Sequence, residues 1–433
     1  MLYSGIMRNL VTPMLLPILL FAEAPATAQT VEIATWRGDR AGAVSLTFDD
    51  ALGGHWSHAD PIMKADGVRG TFFVITGTVD WNGARAAALN GHEIASHSTV
   101  DGTLKEDVNA GAKLVASHDT IEAEIGSVIP GYRCHTIAWP YGDRRLDLIN
   151  DPAYHDLYVS ARNAGNALLA GNSYNRADTT TWWKYGQGTY GRDHFYVVGD
   201  ALMTSGTSLA TFNQQLDLVE SEGAWTVFTY HGIETGGYQN ISADAFADQV
   251  AAVAARKDRT LWIAPYGEVV RYIRQRDDAI ATMQSNDGTT LTVSLSDSLD
   301  DSVYNVPLTL HFPAPEGWTE VTADQDGEPV PAAVSEGRVI FDAVPDAGLV
   351  TINGSGGSTA PVPVLGLALA SGGGMELTWD TEDGVEYEVL QSTDLSSWSS
   401  MDPALLITGD GNPVTVGVPA PGALIFYIVE KRS

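Results

Sequence analysis

The distribution of apolar and polar positions divides the chain into two regions of different kind. From about residue 30 to residue 284, short apolar runs alternate with longer segments of helical spacing. The runs that predict strands are AVSLTF, GTFFVIT, HEIASH, HTIAWP, DLYVSA, HFYVVG and WTVFTY. The segments that predict helices are SHADPIMKADG, EDVNAGAKLVASHDTIEAEIG, LATFNQQLDLVESEG, SADAFADQVAAVAARK and GEVVRYIRQRDDAIATM. This alternation predicts an α/β fold with a parallel sheet closed, or nearly closed, into a barrel.

The pattern changes near residue 285, where polar and apolar residues begin to alternate one by one. Residues 285–354 contain TTLTVSLSDSLDDSVYNVPLTLHFP and GRVIFDAVPDAGLVTING, which predict a small β-sandwich. A Gly-, Ser- and Pro-rich linker follows at residues 355–364. Residues 365–433 predict a second small all-β module, in which we expect Trp379 and Trp398 in the core, with glycan stacking as the alternative.

The first 28 residues have the pattern of a bacterial export signal. Arg8 precedes the apolar run LVTPMLLPILLF, and APATA ends at Ala28 with the spacing of a cleavage site. The apolar run is shorter than the roughly 20 residues that a helix needs to cross a bilayer. We therefore expect a secreted or periplasmic protein, without a transmembrane segment, whose signal peptide spans residues 1–28.

Net charge limits the macromolecules that the chain can bind, and cysteine content limits its disulfides. The formal net charge is −30, from 24 Lys and Arg against 54 Asp and Glu. Such a surface should repel nucleic acid and anionic membranes. Cys134 is the only cysteine, so the chain has no intrachain disulfide, and we expect this thiol to be buried. The oligomeric state is left open by these features.

Candidate catalytic residues stand where the predicted strands end. Asp49 and Asp50 follow AVSLTF, and adjacent carboxylates repel each other unless a cation lies beside them. His97 ends the third strand, and Asp101 shares its face if the chain turns helical there. Because barrels bind ligands at the carboxyl ends of their strands, Asp50, His97 and Asp101 together suit a three-ligand metal site with open positions. Taken singly, each of these residues also fits a turn or a structural role.

Two more strand ends carry polar chemistry. Pro140-Tyr141-Gly142 follows the strand HTIAWP, and by itself it fits an ordinary turn. His231 terminates WTVFTY, and a histidine in that position suits a general acid because its ordinary pKa lies near neutrality.

Taken in order, TFDD, GHEIASHS, WPYG and TYHG resemble the motifs of the polysaccharide deacetylases, carbohydrate esterase family 4. TFDDALGGHWSHADPIMKADGVRGTFFVITG also resembles the opening strand–helix–strand of that family. The resemblance covers about residues 40–275, within a predicted barrel region of residues 29–284. It implies a distorted (β/α) barrel followed by the two all-β modules. It also implies one divalent metal ion, zinc in the first place, with Mn²⁺, Mg²⁺, Co²⁺ or Ni²⁺ as alternatives.

The resemblance assigns roles to the residues that match its motifs. It implies Asp49 as the catalytic base, His231 as the general acid and the backbone N–H of Tyr141 as a donor to the oxyanion. It implies Asp50 and His97 as metal ligands. The second motif departs from the family because Asp101 stands where a second histidine ligand is usual. As a third ligand, Asp101 would add negative charge and favour harder ions.

The predicted substrate contacts rest on the same resemblance. The arginine that the family often keeps before its Pro-Tyr motif is missing, and Trp139 precedes Pro140 instead. Arg162, in VSARNAG on the next strand, is the candidate replacement for that cation. DTTTW fits the D-x-x-x-W pattern of the family and offers Trp182 as a pocket wall. We therefore predict Arg162, Trp182 and Trp139 as substrate-binding residues.

These roles imply a secreted, metal-dependent hydrolase that removes N- or O-acetyl groups from a polysaccharide or oligosaccharide. Its expected partner is an acetylated glycan. Two alternatives stay open: another amide or ester hydrolase on the same barrel, and a catalytically inactive barrel that binds glycan. The aspartate at position 101 is the feature that favours the inactive barrel.

Overall fold

A computed structural model of the chain describes residues 30–154, 156–163, 198, 200–286, 288–355, 366–369, 375–379, 381, 383–392, 399–418 and 426–432. The predicted signal peptide, Trp182, Trp398 and nearly all of the predicted linker lie outside these residues. No helix in the described part of the chain is long and apolar enough to cross a membrane. The chain divides into two units: Met1–Pro313 with Thr322–Asn353, and Ala314–Val321 with Gly354–Ser433.

The first unit holds a parallel sheet built from the apolar runs of the sequence. A short strand, β1 (Glu32–Ile33), precedes it. The strands of the sheet are β2 (Gly42–Asp49), β3 (Thr71–Val74), β4 (Glu93–Ser96), β5 (Thr136–Ala138), β6 (Ser160–Arg162), β7 (Ala201–Leu202), β8 (Trp225–Tyr230) and β9 (Leu261–Ile263). Their order is β6-β5-β4-β3-β2-β8-β7, with β9 also paired to β2. Every residue of β2 is buried, as expected of a strand covered on both faces.

Helices connect these strands. They are α1 (Asp60–Ala65), α2 (Trp81–Leu89), α3 (Ala110–Gly126), α4 (Leu146–Ile149), α5 (Leu209–Glu222), α6 (Ala243–Ala254) and α7 (Tyr266–Asp278). The hydroxyls of Ser208 and Ser242 accept backbone N–H groups at the starts of α5 and α6, which fixes where these helices begin. The predicted α/β barrel with all-β sheets after it is confirmed.

Several element predictions need correction. The predicted helix through residue 283 ends at Asp278, because the next residues form a strand, β10 (Ile280–Asn286). Helix α2 and strand β9 were not predicted. The buried face of α2 consists of alanines, which give only a weak apolar pattern. Most of the predicted strand HFYVVG lies outside the described residues, and Ala201–Leu202 is the strand that pairs with β8 there.

Antiparallel sheets follow the barrel within the first unit. Their further strands are β11 (Thr290–Ser296), β12 (Leu308–Pro313), β13 (Glu320–Gln325), β14 (Glu328–Val330), β15 (Ala332–Ser335), β16 (Arg338–Ala343) and β17 (Val350–Ser355). One sheet has the order β1-β12-β16-β15, and the other has the order β10-β11-β17-β13-β14. The first of these sheets therefore contains a strand from before the barrel.

The second unit has its own small core. Its strands are β18 (Gly366–Leu369), β19 (Met375–Trp379), β20 (Glu386–Ser392), β21 (Ser399–Thr408), β22 (Val414–Val418) and β23 (Phe426–Arg432). They form two three-stranded sheets, β18-β19-β22 and β21-β20-β23. Trp379 is buried in a cluster with Leu377, Tyr387 and Val389, so it serves the core as expected and is not exposed for stacking.

Buried polar contacts attach the β-sheets of the first unit to the barrel. The Tyr272 hydroxyl on α7 donates to the Ala34 carbonyl at 2.9 Å and accepts from the Thr309 N–H at 3.4 Å. The Gln275 side-chain carbonyl accepts from the Val306 N–H at 2.9 Å. Both α7 side chains are completely buried. Residues that follow position 284 therefore cover part of the last barrel helix, α7.

Removing the Tyr272 hydroxyl should therefore destabilise the first unit. Tyr272→Phe leaves two buried backbone groups without this partner, and we expect the free energy of unfolding to fall by about 1–3 kcal/mol. Tyr238→Phe is the matched control, because its ring is 59% exposed. Urea unfolding followed by circular dichroism measures both. Equal stability of the two variants would contradict this account of the contact.

Candidate active site

Three of the predicted motifs leave their strands through a left-handed residue that is not glycine. The φ angles are 74° at Asp50, 68° at Ser98 and 56° at Tyr141. Such residues cost about 1–3 kcal/mol each and are common at functional sites. At the end of β2 the turn separates the two adjacent aspartates: Asp49 stays buried in the strand, whereas Asp50 is partly exposed.

Asp49 is held by a buried arginine. The Arg162 Nη2 group donates to Asp49 Oδ2, and the Arg162 Nη1 group donates to Asp200 Oδ2. Burial by itself would raise the pKa of Asp49, but the charges of Arg162, His97 and His231 outweigh it and lower that pKa below its ordinary value. Asp49 is therefore ionised at neutral pH. Its other oxygen, Oδ1, is buried and has no hydrogen-bond partner among the described residues.

Two of the three predicted substrate-binding residues are buried. Arg162 and Trp139 are both completely buried. Arg162 donates to two carboxylates, so its guanidinium positions the predicted base and is not available to a ligand. The Trp139 N–H donates to the Arg162 carbonyl at 2.9 Å, which ties the end of β5 to β6. Trp182 lies outside the described residues.

Asp50 and His97 form a pair with the chemistry of a metal site. His97 Nδ1–H donates to the Ala138 carbonyl at 2.9 Å, so Nε2 carries the lone pair. The Nε2 atom lies 3.5 Å from Asp50 Oδ1. In a neutral ring both atoms are acceptors, and a cation between them would bind both. A backbone carbonyl that fixes the other ring nitrogen is also typical of histidine ligands, so these two residues fit a divalent ion.

Asp101 does not lie together with this pair. Its carboxylate oxygens are not within 4.8 Å of both Asp50 and His97, because these three do not form a group at that distance. Instead, Asp101 Oδ1 accepts a hydrogen bond from the Tyr141 hydroxyl at 2.9 Å. This bond raises the pKa of the Tyr141 phenol. Because Asp101 is engaged by Tyr141 and not by the pair, we expect it not to bind the metal, contrary to the sequence-based prediction, and a metal-binding measurement tests this.

His231 also lies close to Asp49. Its Nε2 atom is 3.9 Å from Asp49 Oδ2, and its side chain is 16% exposed. Its Nδ1 atom is buried without a partner among the described residues. The edge of the Tyr238 ring faces this imidazole, with centroids 5.3 Å apart. A partly open histidine beside an ionised carboxylate can exchange a proton with a ligand.

His55 is a further residue of the site that the sequence did not reveal. It is completely buried in a π-helical turn, His55–Ala59, directly after the β2 motif. Its Nε2–H donates to the His231 carbonyl at 2.6 Å. Burial lowers the pKa of His55 to about 4, so the ring is neutral and remains a donor through one nitrogen. Such turns are common at functional sites.

Asp200 was missed for a different reason. In the sequence it directly follows the predicted strand HFYVVG, and this position was the one available signal. Nothing in the local sequence indicates that it shares Arg162 with Asp49, because the two aspartates are far apart along the chain.

A second acidic group lies away from these residues. Within the described parts of the chain, Asp297, Asp301 and Asp346 are the group of three whose ligand atoms all lie within 4.8 Å. Asp301 and Asp346 are exposed. Clusters of this kind are expected on the surface of a chain with a net charge of −30.

Comparison with solved structures gives two relevant similarities. The Xyl-CE4 domain of a multidomain xylanase from the hindgut metagenome of Trinervitermes trinervoides shares 16% identity, with a TM-score of 0.32 over 53% of this chain and 89% of that chain. The peptidoglycan deacetylase PdaC from Bacillus subtilis shares 16% identity, with a TM-score of 0.34 over 56% of this chain and 96% of that chain.

Comparison of sequences gives one curated relative and one family. A gellan lyase from Bacillus sp. is 28% identical over 332 residues, which are 74% of this chain. The match spans only 13% of the length of that lyase. The polysaccharide deacetylase family model matches residues 37–159, which include Asp49, Asp50 and His97. The chain is therefore similar to the polysaccharide deacetylase family over this segment.

Proposed function

We propose that the protein is a metal-dependent deacetylase that hydrolyses acetyl groups on a polysaccharide or oligosaccharide. The observation that carries this proposal is the grouping around Asp49. One buried carboxylate is kept ionised by Arg162, has His231 at 3.9 Å, and is followed directly by the Asp50–His97 pair. The family of residues 37–159 supports the same chemistry.

Asp49 is suited to accept a proton from water. Arg162 occupies one of its oxygens, and Oδ1 has no partner among the described residues. A base of this kind typically contributes a factor of about 10²–10⁴ to the rate. Asp200 accepts a hydrogen bond from the other amino group of Arg162 and so restricts the position of the guanidinium.

Asp50 and His97 would hold the metal ion. When bound, a divalent ion polarises the acetyl carbonyl and makes a water molecule more acidic. The surrounding backbone positions both ligands. The Ala138 carbonyl fixes the His97 ring, and the left-handed turn at Asp50 directs the Asp50 carboxylate toward that ring.

His231 and Tyr141 complete the proposed chemistry. We assign to His231 the role of donating a proton to the leaving amine or alcohol. Its Nε2 atom lies 3.9 Å from Asp49 Oδ2, and its side chain is partly exposed. We assign the backbone N–H of Tyr141 to the developing oxyanion, because the left-handed turn places this residue at the C-terminal end of β5. One donor of this kind is worth about 10²–10³ in rate.

The substrate and its location are part of the proposal. An acetylated glycan outside the cytoplasm fits the export-type pattern of residues 1–28 and the two all-β regions. The net charge of −30 disfavours polyanionic partners.

Release of acetate tests this function directly. The full chain, supplied with Zn²⁺ or Mn²⁺, should release acetate from N-acetylated chitotetraose or O-acetylated xylotetraose. Asp49→Asn should lower kcat by about 10²-fold or more because the amide cannot accept the proton. Bound metal should be retained in this variant. Near-normal turnover by Asp49→Asn would show that another residue is the base.

Metal content separates the ligands from their neighbours. Asp50→Ala and His97→Ala should each lose the bound ion, since each removes one member of the facing pair. Asp101→Asn should retain it with comparable affinity, because Asp101 is bound to Tyr141 instead. Elemental analysis and zinc titration measure this without turnover. Loss of metal from Asp101→Asn would instead establish Asp101 as the third ligand.

His55 should act as a positioning residue for His231. His55→Leu removes the donor to the His231 carbonyl, and we expect kcat to fall by about tenfold with little change in KM. His55→Gln carries an amide N–H on a side chain of similar reach and should recover most of kcat. Equal activity of the leucine and glutamine variants would mean that His55 only fills space.

The folding stability of the same two variants should depend less on pH than that of the unchanged protein. The unfolded chain protonates His55 below its ordinary pKa of 6.5, whereas the folded chain resists until about 4. This residue therefore removes about 3 kcal/mol of stability as pH falls from 6.5 to 4. Both variants lack this titration, so their stability should decline less than that of the unchanged protein over this range.

A further inference from the structure

We propose that Tyr238 is a stacking platform for a pyranose ring next to the acetylated sugar, so that the site recognises a glycan chain of several residues. This inference rests on the proposed function and adds to it a subsite and a substrate class. Tyr238 belongs to none of the four sequence motifs TFDD, GHEIASHS, WPYG and TYHG.

The loop that carries Tyr238 is firmly attached to the end of β8. The Gly232 N–H donates to the Tyr238 carbonyl at 3.3 Å, and the Ile241 N–H donates to the Gly232 carbonyl at 2.9 Å. A Cβ atom on Gly232 would come within 1.9 Å of the Gly236 carbonyl oxygen, so the two arms of the loop are in close contact. The Tyr238 backbone is therefore fixed beside His231.

The Tyr238 side chain is exposed despite this fixed backbone. Its ring is 59% exposed, and it meets His231 through an edge at an interplanar angle of 82°. An exposed large aromatic ring beside a proposed general acid leaves apolar surface uncovered next to the reacting group. Aromatic rings combine a large apolar area with few rotatable bonds, which suits them to binding at low entropic cost.

A second exposed ring lies at the other end of the site. Tyr141 is 71% exposed and follows β5. In the strand order β5-β4-β3-β2-β8, the two tyrosines follow the outer strands, and Asp49, Asp50 and His97 belong to the ends of β2 and β4 between them. The two exposed rings therefore follow strands on either side of the proposed catalytic residues. An oligosaccharide can offer a sugar ring to each of them, whereas a small ester cannot.

The charges near both rings favour an uncharged or cationic sugar. The segment from His231 to Ile241 contains Glu234 and neither lysine nor arginine. Asp101 accepts the hydrogen bond from the Tyr141 hydroxyl. A uronic acid or a sulfated sugar would find no lysine or arginine in the segment that carries Tyr238 and would meet Asp101 beside Tyr141, so amino sugars and neutral sugars are the favoured class.

Binding of chitotetraose to the Asp49→Asn background tests the proposal without turnover. Adding Tyr238→Ala should weaken binding by about tenfold, the effect of losing one aromatic face of contact. Adding Tyr238→Phe should leave the affinity close to that of the background, since the ring is kept. Leu89→Ala is the matched control, because Leu89 is 63% exposed on α2. Isothermal titration with chitotetraose and with an oligouronate measures these affinities.

The outcomes separate this inference from the proposed function. Equal affinity of the alanine and phenylalanine variants, tighter binding of the oligouronate, or no binding of chitotetraose would each overturn the stacking platform. Acetate release from a small ester such as p-nitrophenyl acetate is followed in parallel with the unmutated chain. Turnover of the ester without tetramer binding would leave the hydrolase in place and refute the subsite. Tyr238-dependent tetramer binding without any acetate release would support the subsite and refute the deacetylase.

Discussion

The buried Arg162 guanidinium is the interaction on which the rest of the site depends. It is completely buried and binds Asp49 with one amino group and Asp200 with the other. Leaving a buried carboxylate without its partner costs several kcal/mol, so the arginine stabilises the strand ends and keeps Asp49 ionised at once. The planar fork of arginine suits two carboxylates held in fixed directions. The same contact fixes the ends of β2 and β6 relative to each other.

The charge around this arginine explains why a cation fits in front of it. Asp49 and Asp200 together carry one more negative charge than Arg162 neutralises. Asp50 adds another carboxylate directly after β2, and the His97 Nε2 atom lies 3.5 Å from it. The site is thus acidic and rich in acceptors, and a divalent ion would relieve both conditions. The left-handed turns at Asp50, Ser98 and Tyr141 are locally strained, and this arrangement depends on them.

Much of the fold followed from the sequence because its signals are local. Apolar runs bounded by turn residues predicted β2, β3, β4, β5 and β8, and serine caps preceded two helices. The alanine-rich α2 escaped because its buried face gives little periodicity. The approach of His231 to Asp49 and of His97 to Asp50 also followed, since the ends of parallel strands meet at one edge of a sheet.

The sequence by itself determined the barrel, its motif order and the residue types at the strand ends, because each is encoded within a few neighbouring positions. Only the tertiary structure decided the partners. It placed Arg162 behind Asp49 instead of in a substrate pocket, bound Asp101 to Tyr141, and brought the His55 imidazole to the His231 carbonyl. These contacts join residues 40 to 176 positions apart. Periodicity carries no information at that separation, because side-chain direction there depends on strand order and on the turns.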